Sequence, residues 1–149
     1  MLEDRRDWFE RRALTGKIVE GHGDLRPEHV FMGPPLCIID CLEFARALRL
    51  VDPADEVGFL ALECERLGAP DAGALLLRTY AEMSGDAPAP ALVHFYQSYR
   101  AGTRARIAIR HLAEAQFRNS PEWPRRALRY LDLAEQHQAS ISSTSEPPS

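Results

Sequence analysis

The decapeptide GHGDLRPEHV, residues 21–30, determines the expected fold together with the pentapeptide LCIID, residues 36–40. The apolar runs at residues 30–32 and 36–39 are separated by the tripeptide GPP at residues 33–35. Because proline cannot continue a helix and glycine favours turns, this arrangement predicts a β-hairpin. Asp24 precedes the hairpin and Asp40 ends it, so we expect the two carboxylates, sixteen positions apart, at the mouth of one hairpin.

Most of the remaining chain has helical patterning. Asp52 and Pro53 suit the N-cap and first position of a helix. The predicted helices are one that ends near Gly16, one that follows Asp52, one from Asp71 to Met83, one from near Pro90 to Leu112, and one from Pro121 to about Gln136. Residues 1–137 are therefore expected to form a single α+β domain in which helices predominate. Residues 138–149 are rich in Ser, Thr and Pro and are predicted to be a disordered tail.

Composition excludes several classes of partner. The formal net charge of the 149 residues is −4, whereas nucleic acid and anionic membranes attract clustered positive charge. No apolar run approaches the roughly 18 residues that span a bilayer. We expect a small-molecule partner, no nucleic acid, no membrane and a cytoplasmic location. The three cysteines, Cys37, Cys41 and Cys64, are an odd set without paired metal spacing, and buried reduced thiols are expected.

The two acids have the spacing of a phosphoryl-transfer site. Asp24, in a loop after a short strand, could take the proton of a substrate hydroxyl. Asp40 could hold Mg²⁺, because hard divalent ions prefer carboxylate oxygen. His29, five residues after Asp24, is positioned as a second metal ligand.

The segment HGDL at residues 22–25, followed by Ile39-Asp40, resembles the catalytic loop and metal-binding segment of the aminoglycoside phosphotransferase and choline kinase-like family. The resemblance covers roughly residues 8–133. It implies the C-terminal lobe of a protein-kinase-like fold, Asp24 as catalytic base, Asp40 on Mg²⁺, ATP as phosphoryl donor and a small-molecule hydroxyl as acceptor.

This chain departs from the family pattern at two points. The family generally has asparagine where this chain has His29. The family's N-terminal lobe contributes a phosphate-covering sheet and a phosphate-gripping lysine, but only about twenty residues precede the loop here, and Lys17 is the sole lysine. The sequence therefore predicts a C-terminal lobe whose nucleotide clamp is missing, as in a truncated protein.

Four further residues are candidates for supporting roles. His22 is expected to be a hydrogen-bonding residue of the loop, with catalysis as the alternative. Glu43 either joins the metal or substrate site or is solvated. Arg100 and Arg104 form a polar stripe on the third of the helices after the hairpin, and the stripe either faces the acids and binds an anionic substrate or forms internal ion pairs.

Three functions remain open at this point. The first is a phosphotransferase lobe, incomplete in this chain. The second is a non-catalytic binding or dimerisation module, in which a homodimer or a partner covers the face where the missing lobe would dock. The third is a metal-dependent hydrolase that uses His22, Asp24, His29 and Asp40 as ligands.

Overall fold

The computed structural model describes residues 5–143. Within them the helices are α1 (Arg6–Leu14), α2 (Pro53–Arg66), α3 (Pro70–Ser84), α4 (Pro90–His111) and α5 (Glu122–Ser143). The strands are β1 (Val19–Glu20), β2 (Val30–Phe31), β3 (Cys37–Ile38) and β4 (Leu50–Val51), and short 3-10 turns lie at Pro27–His29 and Arg46–Arg49. The architecture is α+β and mostly helical, which confirms the predicted fold class at that level.

The strands form two small antiparallel ribbons. β2 and β3 pair in the register Val30 to Ile38, which confirms the predicted hairpin. β1 pairs with β4, with Val19 opposite Val51. The second ribbon was not predicted. This ribbon places residues 19–20, which precede the loop that carries Asp24, next to the start of α2.

Helices α2 and α3 begin and end close to where local sequence predicted. The carboxylate of Asp52 accepts a hydrogen bond from the backbone N–H of Ala54 at 2.9 Å and caps α2. Gly85 ends α3 in the left-handed conformation, with φ of 67°. Helices α2 and α3 approach closely at Gly73, where a Cβ atom would lie 2.8 Å from the carbonyl oxygen of Ala61.

A small core joins α2, α4 and α5. Its buried members are Phe59, Leu62, Ala101, Ala105, Tyr130 and Leu133. Tyr130 is fully buried, and its hydroxyl donates to Glu63 Oε1 at 2.6 Å. Because Glu63 also accepts from Arg66, the buried acid has partners on two sides.

Arg12 fastens α1 to this helical body. Its guanidinium donates to Asp52 Oδ2 at 2.7 Å and to Asp86 Oδ1 at 2.6 Å. Asp86 lies between α3 and α4, so one arginine joins α1, the N-terminus of α2 and the α3–α4 connection. All three side chains are largely buried.

Two expectations need correction. Helix α5 continues through Ser143, so residues 138–143 are helical, and Ile141 is 3% exposed. The prediction of a disordered tail was therefore wrong for residues 138–143, where burial of the apolar Ile141 accompanies the continued helix. Residues 144–149 of the predicted tail lie outside the described part. The thiols are free, but Cys37 is exposed and Cys41 and Cys64 are half-buried, so the prediction of buried thiols was wrong. No helix within residues 5–143 is long and apolar enough to cross a membrane.

Candidate functional site

Helix α2 binds the backbone of the loop that carries Asp24. The carboxylate of Glu56 accepts hydrogen bonds from the backbone N–H of His22, at 2.9 Å, and of Gly23. Arg100 on α4 donates to the carbonyl oxygen of Gly23 at 3.0 Å. Gly23 has φ of 87°, and a Cβ there would lie 2.9 Å from the carbonyl oxygen of Leu48. The loop therefore requires glycine at this position and presents the next residue, Asp24, in a fixed direction.

Two arginines flank the Asp24 carboxylate, whose side chain is 23% exposed. Arg26 Nε donates to Oδ2 at 3.0 Å, and Arg104 Nη1 lies 3.7 Å from Oδ1. Arg104 Nε is buried and has no hydrogen-bond partner among the described residues. Arg104 thus keeps an unused donor next to Asp24.

His29 lies between the backbone of Asp24 and the carboxylate of Asp40. Its Nδ1 lies 3.0 Å from the carbonyl oxygen of Asp24, and its Nε2 lies 3.3 Å from Asp40 Oδ2. Because a carbonyl oxygen only accepts, Nδ1 carries the proton, and Nε2 of the neutral ring carries the lone pair. Arg26 Nη2 lies 2.9 Å from Nε2 and donates to it in that state. His29 is buried, at 5% exposure, so the ring has a fixed position, with Nδ1 on the Asp24 backbone and Nε2 beside Arg26 and the Asp40 carboxylate.

Asp40 ends the hairpin in an uncommon conformation. Its φ is 61°, in the left-handed region that side chains other than those of Asn and Asp rarely adopt. The preceding residue, Ile39, donates its N–H to the carbonyl oxygen of His29 at 3.0 Å. The Asp40 side chain is 75% exposed. A strained residue that directs a carboxylate into open space is typical of a functional site.

His22 contacts the backbone on both sides of its ring. Nε2 lies 2.7 Å from the carbonyl oxygen of Ile39, and Nδ1 accepts from the N–H of Asp24 at 3.3 Å. Its ring stacks on that of His29 with centroids 5.4 Å apart. These contacts are those of a residue that positions the loop against the end of β3, as expected for the structural interpretation.

Asp24, His29, Asp40 and Glu43 line one open depression of about 960 Å³. Glu43 is exposed there, three residues after Asp40. Across residues 5–143, no three His, Cys, Asp or Glu side chains are grouped so that they could hold a metal ion. That geometry does not support a hydrolase with four protein ligands.

The predicted arginine stripe faces the loop, but its two members differ. Arg100 donates to Asp55 Oδ1 at 2.8 Å, in addition to its bond to Gly23. Burial would lower the pKa of Arg100, yet hydrogen bonds to Asp55 and its charge outweigh that effect and raise it. Arg100 is therefore a structural ion-pair residue, whereas Arg104 faces Asp24 with part of its donor capacity unused.

Sequence reasoning missed Arg26 and Glu56. Arg26 lies two residues after Asp24, so its nearness could have suggested an ion pair. Glu56 is 34 positions from His22, and no local pattern connects an acid in the first turn of α2 with that loop.

The two ribbons and the segments next to them expose many large apolar side chains. They include Ile18, Val19, Phe31, Met32, Leu36, Ile38, Ile39, Phe44, Leu48 and Leu50, which we call the apolar face. Met32 is 86% exposed and Phe44 is 82% exposed. Phe44 and Ile39 also line the depression that holds the acids. The apolar face and the candidate site are therefore adjacent.

Comparison with known proteins gives relatives without assigned activity. The chain is 39% identical over 131 residues to the uncharacterized proteins Mb2027c of Mycobacterium bovis and MT2060 and Rv2004c of Mycobacterium tuberculosis. The match covers 87% of this chain and 25% of each relative, so the chain spans about a quarter of their length. No family model matches the chain, and no solved structure matches it.

Proposed function

We propose that the chain is the helical C-terminal lobe of a kinase-like phosphotransferase similar to the aminoglycoside phosphotransferase and choline kinase-like family. It would transfer the γ-phosphoryl group of ATP to a hydroxyl group of a small molecule, once an N-terminal lobe completes the nucleotide site. The observation that carries this proposal is that Asp24, His29 and Asp40 line one open depression, where His29 Nε2 lies 3.3 Å from the Asp40 carboxylate and His29 Nδ1 lies 3.0 Å from the backbone carbonyl oxygen of Asp24.

The Asp40 carboxylate is a donor that suits Mg²⁺, whereas the imidazole of His29 is a softer ligand for this ion. Two ligand atoms about 2.1 Å from Mg²⁺ and at right angles lie about 3.0 Å apart. Asp40 Oδ2 and His29 Nε2 are separated by 3.3 Å, so both could bind one ion if Arg26 left Nε2. Mg²⁺ in such sites keeps waters and substrate phosphates as its other ligands, and there it neutralises phosphate charge. A group of three or more protein ligands is not required.

The residues around Asp24 have complementary tasks. Asp24 would orient the acceptor hydroxyl and receive its proton. Arg26 fixes one carboxylate oxygen, which leaves Oδ1 for the hydroxyl. Arg104, with its buried unpartnered Nε and its long ion pair to Asp24, would contact an oxygen of the transferred group or of an anionic substrate.

Calorimetry tests the metal and nucleotide part of the proposal in a protein that carries both lobes. ATP should bind more tightly in the presence of Mg²⁺ than without it, and Asp40→Asn should remove that difference. Asp71→Asn is the matched control, because Asp71 is an exposed acid in the first turn of α3. Equal ATP binding by wild type and Asp40→Asn would contradict the role of Asp40.

The catalytic part is tested in a protein that carries both lobes. Asp24→Asn should reduce kcat by at least about 100-fold while ATP still binds, since positioned base catalysis contributes about 10²–10⁴-fold. Unchanged phosphotransfer would show that Asp24 is not the base.

The apolar face supports a second candidate, a binding or dimerisation module without catalysis. Contiguous apolar patches larger than several hundred Å² rarely stay exposed in monomers. A second copy or a partner lobe on this face would bury Phe44 and Met32, its two most exposed members. The relatives are about four times as long as the matched segment, so they contain further residues that could form such a partner lobe.

Light scattering coupled to size-exclusion chromatography distinguishes the homodimer. We expect wild-type mass to exceed that of a monomer, and Met32→Ser with Phe44→Ser to restore the monomer. Leu75→Ser with Met83→Ser is the control pair, since both residues are exposed on α3 away from the apolar face. A wild-type monomer at high concentration would exclude homodimerisation.

A further inference from the structure

Three polar side chains from three helices form a chain of contacts away from the candidate site. Glu65 on α2, His94 on α4 and His137 on α5 supply them. His137 Nε2 lies 3.1 Å from Glu65 Oε2, and His137 Nδ1 lies 3.0 Å from His94 Nδ1. The His137 side chain is 9% exposed, so these contacts lie largely inside the protein.

The contacts determine which ring nitrogens carry protons. A carboxylate only accepts, so His137 Nε2 donates to Glu65. A neutral imidazole has one N–H, so His137 Nδ1 accepts, and His94 Nδ1 must be the donor to it. His94 Nε2 therefore carries a lone pair when both rings are neutral.

Burial keeps the rings neutral near pH 7. Burial lowers the pKa of His94, whereas a hydrogen bond with Gln97 and the negative charge of Glu65 raise it by less. It also lowers the pKa of His137, which Glu65 raises and His94 lowers further. A proton added to His137 would reverse the chain, because both nitrogens of His137 would donate and His94 Nε2 would then carry N–H.

His94 also lines a cavity of about 280 Å³ between α3 and α4. The other walls are mostly apolar and include Leu77, Ala81, Pro88 and Val93, with Gln97 and Arg78 as polar groups. An apolar cavity with a few convergent polar groups is the usual form of a small-molecule site, and this volume is at the low end for such sites. Gln97, one helical turn after His94, has a hydrogen bond with the His94 side chain that raises the pKa of His94, and its amide can both donate and accept.

We propose that the cavity between α3 and α4 binds a small, largely apolar molecule with one uncharged hydroxyl group, which donates a hydrogen bond to Nε2 of His94. The hydroxyl suits both polar neighbours, since its oxygen can accept from Gln97 while its proton goes to His94. The apolar body fills the space between Leu77 and Val93. This site is independent of the proposed phosphotransfer.

Phenol is a suitable probe, because it is small, apolar and uncharged below pH 9. Toluene is its control, since it has similar shape without a hydroxyl group. In NMR titrations of the full chain at pH 7.5, phenol should shift amide signals of α3 and α4 saturably. Toluene should bind at least about tenfold more weakly, because it leaves the polar groups of the cavity without a partner. Equal affinity for the two probes, or no saturable phenol binding, would overturn the proposal.

Substitutions place the ligand in this cavity. Ala81→Phe should fill it and abolish phenol binding, whereas Ala74→Phe, on the exposed side of α3, should not. His94→Leu should bring the phenol and toluene affinities within about threefold of each other. Circular dichroism verifies folding. If Ala81→Phe does not fold, the His94→Leu comparison remains decisive, and retained phenol preference in that variant would overturn the proposal.

The pH dependence gives a separate readout. Lowering the pH until the NMR signals of the two rings show protonation of the histidine pair should weaken phenol binding, because His94 Nε2 then becomes a donor. Besides the two rings, the charged groups that face them or the cavity are Glu65 from α2 and Arg78 from α3. His94→Leu should remove this pH dependence. Wild-type phenol affinity that stays constant while the ring signals show protonation of the pair would refute the lone-pair assignment.

Discussion

The carboxylate of Glu56 holds the backbone N–H of Gly23, the residue directly before Asp24. The same carboxylate accepts from His22 at 2.9 Å, so the first turn of α2 determines where the loop lies. Helix α2 is capped by Asp52 and packs in the core, so its Glu56 fixes the backbone that precedes the candidate base Asp24. Positioning by a rigid element is what a phosphoryl-transfer site requires.

Glu56→Gln should destabilise the protein. One amide oxygen replaces two carboxylate oxygens, and the amide NH₂ would face a backbone donor, so we expect a loss of about 1–3 kcal/mol in the free energy of unfolding. Urea denaturation measures this change. Glu82→Gln, at an exposed position of α3, should stay within about 0.5 kcal/mol of wild type. A similar effect of both substitutions would show that the Glu56 contacts contribute little.

Arg12→Ala should be among the most damaging substitutions of a charged residue. The side chain is 11% exposed and pairs with Asp52 and Asp86, which are 2% and 8% exposed. Removing one partner of a buried ion pair costs about 3–5 kcal/mol, since it leaves uncompensated charge. Arg6→Ala is the control, because Arg6 is 79% exposed and its pair with Glu10 contributes at most about 1 kcal/mol. Equal unfolding midpoints for the two variants would refute this difference.

Asp86 should make stability depend on acid pH. Hydrogen bonding from Arg12 lowers the pKa of Asp86 well below its usual range, burial opposes this, and Tyr80 adds to the lowering. Below the ordinary aspartate pKa of about 4 the unfolded chain binds a proton that the native state does not, so stability falls as pH falls. The Asp86 contribution is complete above that pH.

Urea unfolding at pH 5 and pH 3 measures this contribution. Asp86→Asn should be less stable than wild type at pH 5, and it should lose less stability between the two values. Identical pH dependence in both proteins would mean that Asp86 has the same pKa in the native and unfolded states.

Local sequence was sufficient to predict the hairpin, the start of α2 and the end of α3. Pro34 and Pro35 interrupt two apolar runs, Asp52 precedes Pro53, and Gly85 follows a helical pattern. Each signal acts within a few residues of its effect, so no tertiary information is needed. The predicted nearness of Asp24 and Asp40 followed from the hairpin for the same reason.

Long-range partners could not be predicted from the sequence. Arg12 and Asp86 are 74 positions apart, and the contact exists only because α1 packs across the α3–α4 connection. The predicted burial of the hairpin residues was wrong for a different reason. The apolar run at residues 36–39 indicated a buried strand, but Cys37 and Ile38 are exposed in a two-stranded ribbon. Periodicity shows that a segment favours burial, and it does not identify what covers it.

The left-handed conformation of Asp40 predicts an inverted response to glycine and alanine. Asp40→Gly and Asp40→Ala both remove the carboxylate, but only alanine keeps a Cβ at φ of 61°. The glycine variant should therefore be more stable by about 1 kcal/mol in urea denaturation. At Asp132, exposed within α5, the order should reverse, and alanine should be more stable by about 1 kcal/mol. If alanine were also the better residue at position 40, the backbone there would not be strained, and the conformational argument for a functional Asp40 would fail.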